Sequence, residues 1–143
     1  MKQTSRTTFE LARTFLMENG RLLERALFTY HFESGGRDEV LTALSAYQNA
    51  DGGFGNALEP DVRLPASSPL ATTVALQILR SVGATKTTRM VKQAIAYLLE
   101  KYNPDGEAWL SVPPEVNDYP HAFWWTWPTI AGRHPDLPFY ANL

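Results

Sequence analysis

Apolar residues recur along this chain with the period of an α-helix. In TTRMVKQAIAYLLEKY, Met90, Val91, Ala94, Ile95, Leu98, Leu99 and Tyr102 fall at i, i+1, i+4, i+5, i+8, i+9 and i+12, which predicts a helix with one broad apolar face. SPLATTVALQILRSVG repeats the pattern with Leu70, Val74, Ala75, Ile78, Leu79 and Val82. There Ser68 is the expected N-cap, Pro69 suits the first helical position and Gly83 the end. RDEVLTALSAYQ predicts a helix with Val40, Leu41, Leu44 and Tyr47 on one side and Asp38 as its cap. Upstream, TTFELARTFLME and RLLERALFTYHFE read as a helical pair within 8–33, broken at Asn19-Gly20. A sixth, shorter helix is expected to start near Pro120 in YPHAFWWTW. No period-2 segment bounded by turn signals is found, so the predicted class is all-α. The tail, 128–143, holds Pro128, Pro135 and Pro138 and is expected to be extended.

The helices belong to a repeat. At an offset of 54 residues Asn49 meets Asn103, Asp51 meets Asp105, Gly52 meets Gly106, Asp61 meets Glu115 and Val62 meets Val116. Leu41 and Leu44 likewise meet Ile95 and Leu98. Each unit reads as helix, Asn-x-Asp-Gly turn, irregular connector and second helix, over 38–83 and 87–127. Helical pairs that bury their faces by stacking on neighbours are the logic of repeat proteins.

Length and composition bound the rest. A chain of 143 residues is expected to form a single domain with a real core. At 44% apolar and 20% charged it reads as globular, not disordered. The net charge is −2 with no basic stripe, which argues against nucleic acid as a partner. No cysteine is present, which removes disulfides, thiolate metal sites and a cysteine nucleophile. No signal-peptide pattern or membrane-length apolar run occurs, and the expected location is the cytoplasm.

The stretch LTALSAYQNADGGFG, followed by a helix such as ATTVALQILRSVG, resembles the repeat shared by squalene/hopene cyclases and protein prenyltransferases. The resemblance covers Asp38 to Gly83 and, more weakly, Met90 to Trp127. It implies an (α/α) toroid, in which inner and outer helices alternate around a central cavity. The motif's glutamine and aromatic correspond to Gln48 and Phe54. In the second copy Tyr102 replaces the glutamine, and Glu107-Ala108-Trp109 replaces Gly-Phe-Gly. The cyclases' Asp-x-Asp-Asp motif is absent, and without cysteine the Asp-Cys-His zinc set of the prenyltransferases cannot form. About three helical pairs are counted, fewer than a closed ring needs. An incomplete or half toroid is therefore expected, either as part of a longer protein or as a homo-oligomer that completes the ring.

Two places hold candidate chemistry. In QNADGGFG, Gly52 and Gly53 permit positive φ and Asp51 can bond its own turn, so Gln48, Asp51, Gly52, Gly53 and Phe54 are read as the structural motif of the repeat. A phosphate-loop reading lacks the Gly-Lys-Ser/Thr ending and the GxGxxG spacing. In LEPDVR, Glu59 and Asp61 could act as acid and base, with Arg63 holding a carboxylate ionised or binding an anion. The alternative is a surface ion pair. The resemblance implies a position near the cavity mouth. Glu115 and Asp118 join them as candidate catalytic carboxylates. His121, Trp124 and Trp127 are candidate ligand-binding residues, with Trp124 and Trp127 on one face if the segment is helical. A plain aromatic core is the alternative for the tryptophans. Asp118 and His121 have i, i+3 spacing, but no full metal-ligand motif is present, and no metal or other cofactor is expected. His31 is expected to cap carbonyls at a helix end.

Three functional readings follow. The resemblance implies a prenyltransferase/cyclase-repeat protein that binds an apolar isoprenoid-type ligand, without specifying an activity. Carboxylates beside tryptophans suit a carbohydrate-active α/α-barrel enzyme. The third reading is a helical-repeat binding or assembly module without chemistry.

Overall fold

In the computed structural model, which describes residues 5–127, regular structure is carried by five α-helices, and no strand forms among the described residues. The chain is all-α. It divides into two compact units, one ending at Leu44 and one beginning at Ser45.

In the first unit, Ser5 opens α1 (Arg6–Asn19) by accepting the Thr8 N–H on its hydroxyl at 3.1 Å. The break falls at Gly20, whose N–H closes on Leu16 O at 2.7 Å. The chain then enters α2 (Leu22–Phe32), held to α1 by Phe9 stacking on Phe28 at 5.6 Å. Leu23, Val40 and Leu44 are buried in this unit, yet α1 buries no residue, and Leu11 and Phe15 are each 69% exposed. The last helix, α3 (Arg37–Ser45), starts one residue before Asp38, so Asp38 lies in its first turn and is not its cap. It also stops short of the predicted end, because Gln48 pairs with Phe54 instead of continuing the helix. His31 makes ring contacts with Tyr30 and Phe32 and forms no capping hydrogen bond among the described residues.

The second unit centres on α4 (Pro69–Ser81) and α5 (Arg89–Lys101), which pack together. Ser68 caps α4 as expected, its hydroxyl accepting the Ala71 N–H at 3.1 Å, and Gly83 follows the helix at φ 71°. The helices bury narrower stripes than their apolar patterns suggest. On α5, Val91, Ala94, Tyr97 and Leu98 are buried while Ile95 and Leu99 face outward. On α4 the fully buried Thr72 holds the centre with Ala71, Ala75 and Leu79.

Beyond α5 there is no sixth α-helix among the described residues. Pro114–Asp118 and Phe123–Trp125 form short 3-10 turns. The N–H of Ala122 is bound by Asp61 O at 2.8 Å and that of Arg63 by Pro120 O at 2.9 Å, so Val62 and His121 pair like strand residues. That pairing, with Pro120 itself, holds the chain extended where a helix would begin. A core of Val62, Leu64, Val112 and Val116 gathers beneath it, with Leu70, Trp125 and Trp127 packed against it. The predicted extended tail lies outside the described residues.

The 54-residue offset recurs in hydrogen bonding. Val62 N–H closes on Glu59 O at 3.1 Å, and Val116 N–H closes on Pro113 O at 3.0 Å. Both valines enter the same core. Phe123 starts its short turn at the place equivalent to Pro69, where α4 starts.

Candidate functional site

The turn motif is built around its own backbone. Gln48 Nε2 donates to Gly52 O at 2.9 Å, and Asp51 Oδ1 accepts the Gly53 N–H at 3.0 Å. Gly52 combines positive φ with a close approach: φ is 86°, and a Cβ there would stand 2.8 Å from Gln93 O of α5. Gly53 does not adopt positive φ; it gives way to Ser67 and the ring of Tyr97. Phe54 is 0% exposed, and its N–H is bound by Thr72 Oγ1 at 3.0 Å, while Thr72 donates to Ser68 O at 2.8 Å. Thr72 thus joins the turn to α4, a role its sequence position does not announce.

The four candidate carboxylates go to different places. Asp61 Oδ2 accepts the indole N–H of Trp124 at 3.0 Å and that of Trp125 at 3.1 Å, while Oδ1 is buried without a hydrogen-bond partner among the described residues. Two adjacent tryptophans therefore share one oxygen, and the pairing of Trp124 with Trp127 on a helical face does not occur. Trp127 is held through its backbone, which Asn117 grips at both N–H (2.9 Å) and carbonyl (2.6 Å). Arg63 is exposed and forms no ion pair with Asp61. Glu59 is half-buried at the turn that its carbonyl closes on Val62. Asp118 is exposed at the end of its 3-10 turn.

His121 is engaged at both ring nitrogens. Nδ1 lies 2.6 Å from Tyr119 O, which can only accept, so this nitrogen carries the hydrogen. In the neutral ring Nε2 then accepts from Thr126 Oγ1 at 3.1 Å. Both nitrogens serve the local fold, and no group of three His, Cys, Asp or Glu side chains gathers among the described residues.

Glu115 instead lines a groove of about 580 Å³ that also takes in Asp51, Ser67, Tyr97 and Lys101, floored by Pro69 and Leu110. That volume falls in the range of small-molecule sites. Tyr97, 3% exposed, makes no hydrogen bond through its hydroxyl to any described residue. Burial, reinforced by the charges of Asp51 and Glu100, pushes its pKa well above the usual phenol value and keeps it protonated. Lys101 Nζ sits 5.8 Å from the centre of that ring and pairs with Glu100 at 3.0 Å. Ser67 donates to Asp51 Oδ1 at 2.8 Å and accepts from Asn49 Nδ2 at 2.9 Å, so its hydroxyl is committed. The groove offers a buried phenol, a free carboxylate and apolar walls.

Neither Tyr97 nor Lys101 was a sequence candidate. Their signal lay in the helical spacing Ala94, Tyr97, Leu98, Lys101, which places them beside the buried stripe. No helix is long and apolar enough to cross a membrane among the described residues. No family model, curated protein or solved structure matches the chain.

Proposed function

We propose that this protein is a helical-repeat binding module, built on hairpins of the (α/α) toroid kind shared by squalene/hopene cyclases and protein prenyltransferases, and that it holds a small ligand in the groove beside Tyr97. The observation that carries the binding reading is the groove itself: a buried phenol with no hydrogen-bond partner among the described residues, set in apolar walls on a fixed helix. Support for the repeat comes from the hydrogen bonds that recur at Val62 and Val116. The dispersal of the candidate carboxylates favours holding over transforming: Asp61 serves two indoles, Asp118 stands exposed at the end of its turn, and Glu115 alone of the four lines the groove. An isoprenoid tail suits the apolar floor, but a diphosphate head would meet Glu115 and Asp51.

The test is a titration with neutral 2-phenylethanol followed by ¹H–¹⁵N NMR. Shifts concentrated at the amides of Ser67, Tyr97, Lys101 and Glu115 support the reading. Shifts elsewhere defeat it, as does the absence of any groove shift with this probe and its charged analogues at millimolar concentration.

A second reading, a carbohydrate-binding surface, draws on Trp124. Its indole is fixed by Asp61, yet it stays 46% exposed beside Phe123, a fitting platform for a sugar face. Quenching of indole emission by cellohexaose, lost in Trp124→Ala, would support it. Association of copies is the remaining part of the reading, supported by the uncovered Leu11 and Phe15 of α1. Sedimentation equilibrium of the wild type against Leu11→Glu/Phe15→Glu tests it: a mass that falls to the monomer in the variant supports association.

A further inference from the structure

The charges around the groove specify the sign of its ligand. Resting on the binding reading above, we propose that the groove takes an amphipathic organic cation, a primary ammonium or guanidinium group joined to an apolar body. Glu115 is exposed at the groove and makes no hydrogen bond or ion pair with any described residue. Asp51 is held by Gly53 N–H and the Ser67 hydroxyl, both neutral, and has no cationic partner among the described residues. Lys101 is the one cation among the described residues of the lining, and Glu100 neutralises it at 3.0 Å. The lining therefore carries uncompensated negative charge.

The second observation is independent of the carboxylates. Tyr97 is almost wholly buried, lines the groove and presents a hydroxyl that no described residue bonds. A protonated phenol accepts a hydrogen bond from an ammonium or guanidinium N–H on its oxygen. Its ring already sits beneath the Lys101 ammonium at 5.8 Å, a distance at which an aromatic face attracts a cation. The apolar body has Pro69, Leu110 and Pro113 to rest on. Among the described residues of the lining, an anion would find none of the free cationic donors that phosphate or carboxylate sites use.

Three probes of one shape separate charge from fit: phenethylammonium, 2-phenylethanol and phenylacetate, titrated by NMR and calorimetry at low salt. The cation is expected to bind roughly tenfold tighter than the anion, from Coulomb attraction to two partly solvated carboxylates. That preference should shrink at 0.5 M salt, about the ionic strength where screening becomes severe. Glu115→Gln, a change at an exposed side chain with no hydrogen bond or ion pair to any described residue, is expected to lower the cation's affinity about threefold and leave 2-phenylethanol unchanged. Tyr97→Phe should weaken the cation about fivefold through the lost hydrogen bond. If phenylacetate binds as tightly as phenethylammonium, or Glu115→Gln leaves their ratio unchanged, the assignment of a cation is overturned while the groove stands. If none of the three probes shifts the groove amides, both the cation and the binding reading fall.

Discussion

Asp61 is the residue whose removal tests the reading of this fold most directly. Asp61→Ala deletes two charge-assisted hydrogen bonds, from Trp124 at 3.0 Å and Trp125 at 3.1 Å. Bonds to charged groups contribute about 1.5–3 kcal/mol each. The two do not count equally. Trp124 is nearly half exposed, so water takes its freed N–H and that bond counts below the range, at about 1 kcal/mol. Trp125 is half-buried against the core of Val62 and Val116, and its bond counts near 2.5 kcal/mol, about the upper part of the range. Against these stands Asp61 Oδ1, buried without a partner among the described residues, whose loss relieves about 1–2 kcal/mol of desolvation. The net expectation is a destabilisation of about 2 kcal/mol. With a urea m-value of roughly 1.5–2 kcal/mol/M for a chain of this size, the midpoint should fall by about 1 M. Indole emission is the readout, since Trp124 and Trp125 report their own release by shifting to the red. Asp61→Asn keeps an acceptor for the indoles without the charge and should cost about half as much. Arg63→Ala, two residues away and exposed, should change stability by less than about 0.5 kcal/mol. An Asp61→Ala variant within about 0.5 kcal/mol of wild type, or an Arg63→Ala variant that costs as much as Asp61→Ala is expected to, refutes the role of Asp61 in holding the two indoles.

Three further outcomes follow from the same structure. Thr72→Val keeps the shape but removes the acceptor of the buried Phe54 N–H, and should destabilise by about 2 kcal/mol in urea titration, the cost of a buried unpaired amide. Gly55→Ala should cost more than about 2 kcal/mol, because its Cβ would fall on the backbone carbonyl oxygens of Pro65 and Ala66, which cannot move aside as a side chain would; a soluble variant with unchanged melting temperature would contradict the close approach. Tyr97 sets an alkaline limit: its folded pKa is raised, mainly by burial, above the ordinary value of 10.0, so the stability it contributes is complete below pH 10 and declines as pH rises beyond it. Tyr97→Phe should flatten the loss of stability above that pH, measured by urea midpoints along an alkaline series.

Much of the molecule was legible from residues close together in the chain. Ser68 and Pro69 at the start of α4, and Gly20 between α1 and α2, did what their chemistry predicts, because a cap or a break is decided within one helical turn. The Asn-x-Asp-Gly turn was equally readable, since Asp51 bonds an amide two residues on. The apolar pattern of α5 located the helix but overstated its buried face. Ile95 and Leu99 share the pattern with Ala94 and Leu98 and remain exposed, because periodicity marks apolar positions without saying which a neighbour will cover. The buried roles of Thr72 and Tyr97 do not show in the apolar pattern, because each carries a polar atom.

The sequence by itself determined the all-α class, the positions of the five α-helices, and the Asn-x-Asp-Gly turn with its echo 54 residues on. Each rests on interactions spanning a few residues, or on the same short pattern written twice. Only the tertiary structure decided what the repeated acids do. Asp61 and Glu115 hold equivalent places, yet one is drawn to indoles more than sixty residues away and the other stands at a groove. That outcome depends on the pairing of Val62 with His121, which brings the connector beneath the tryptophans. Such a register follows from the packing of the whole core of Val62, Leu64, Val112 and Val116, and no local rule contains it.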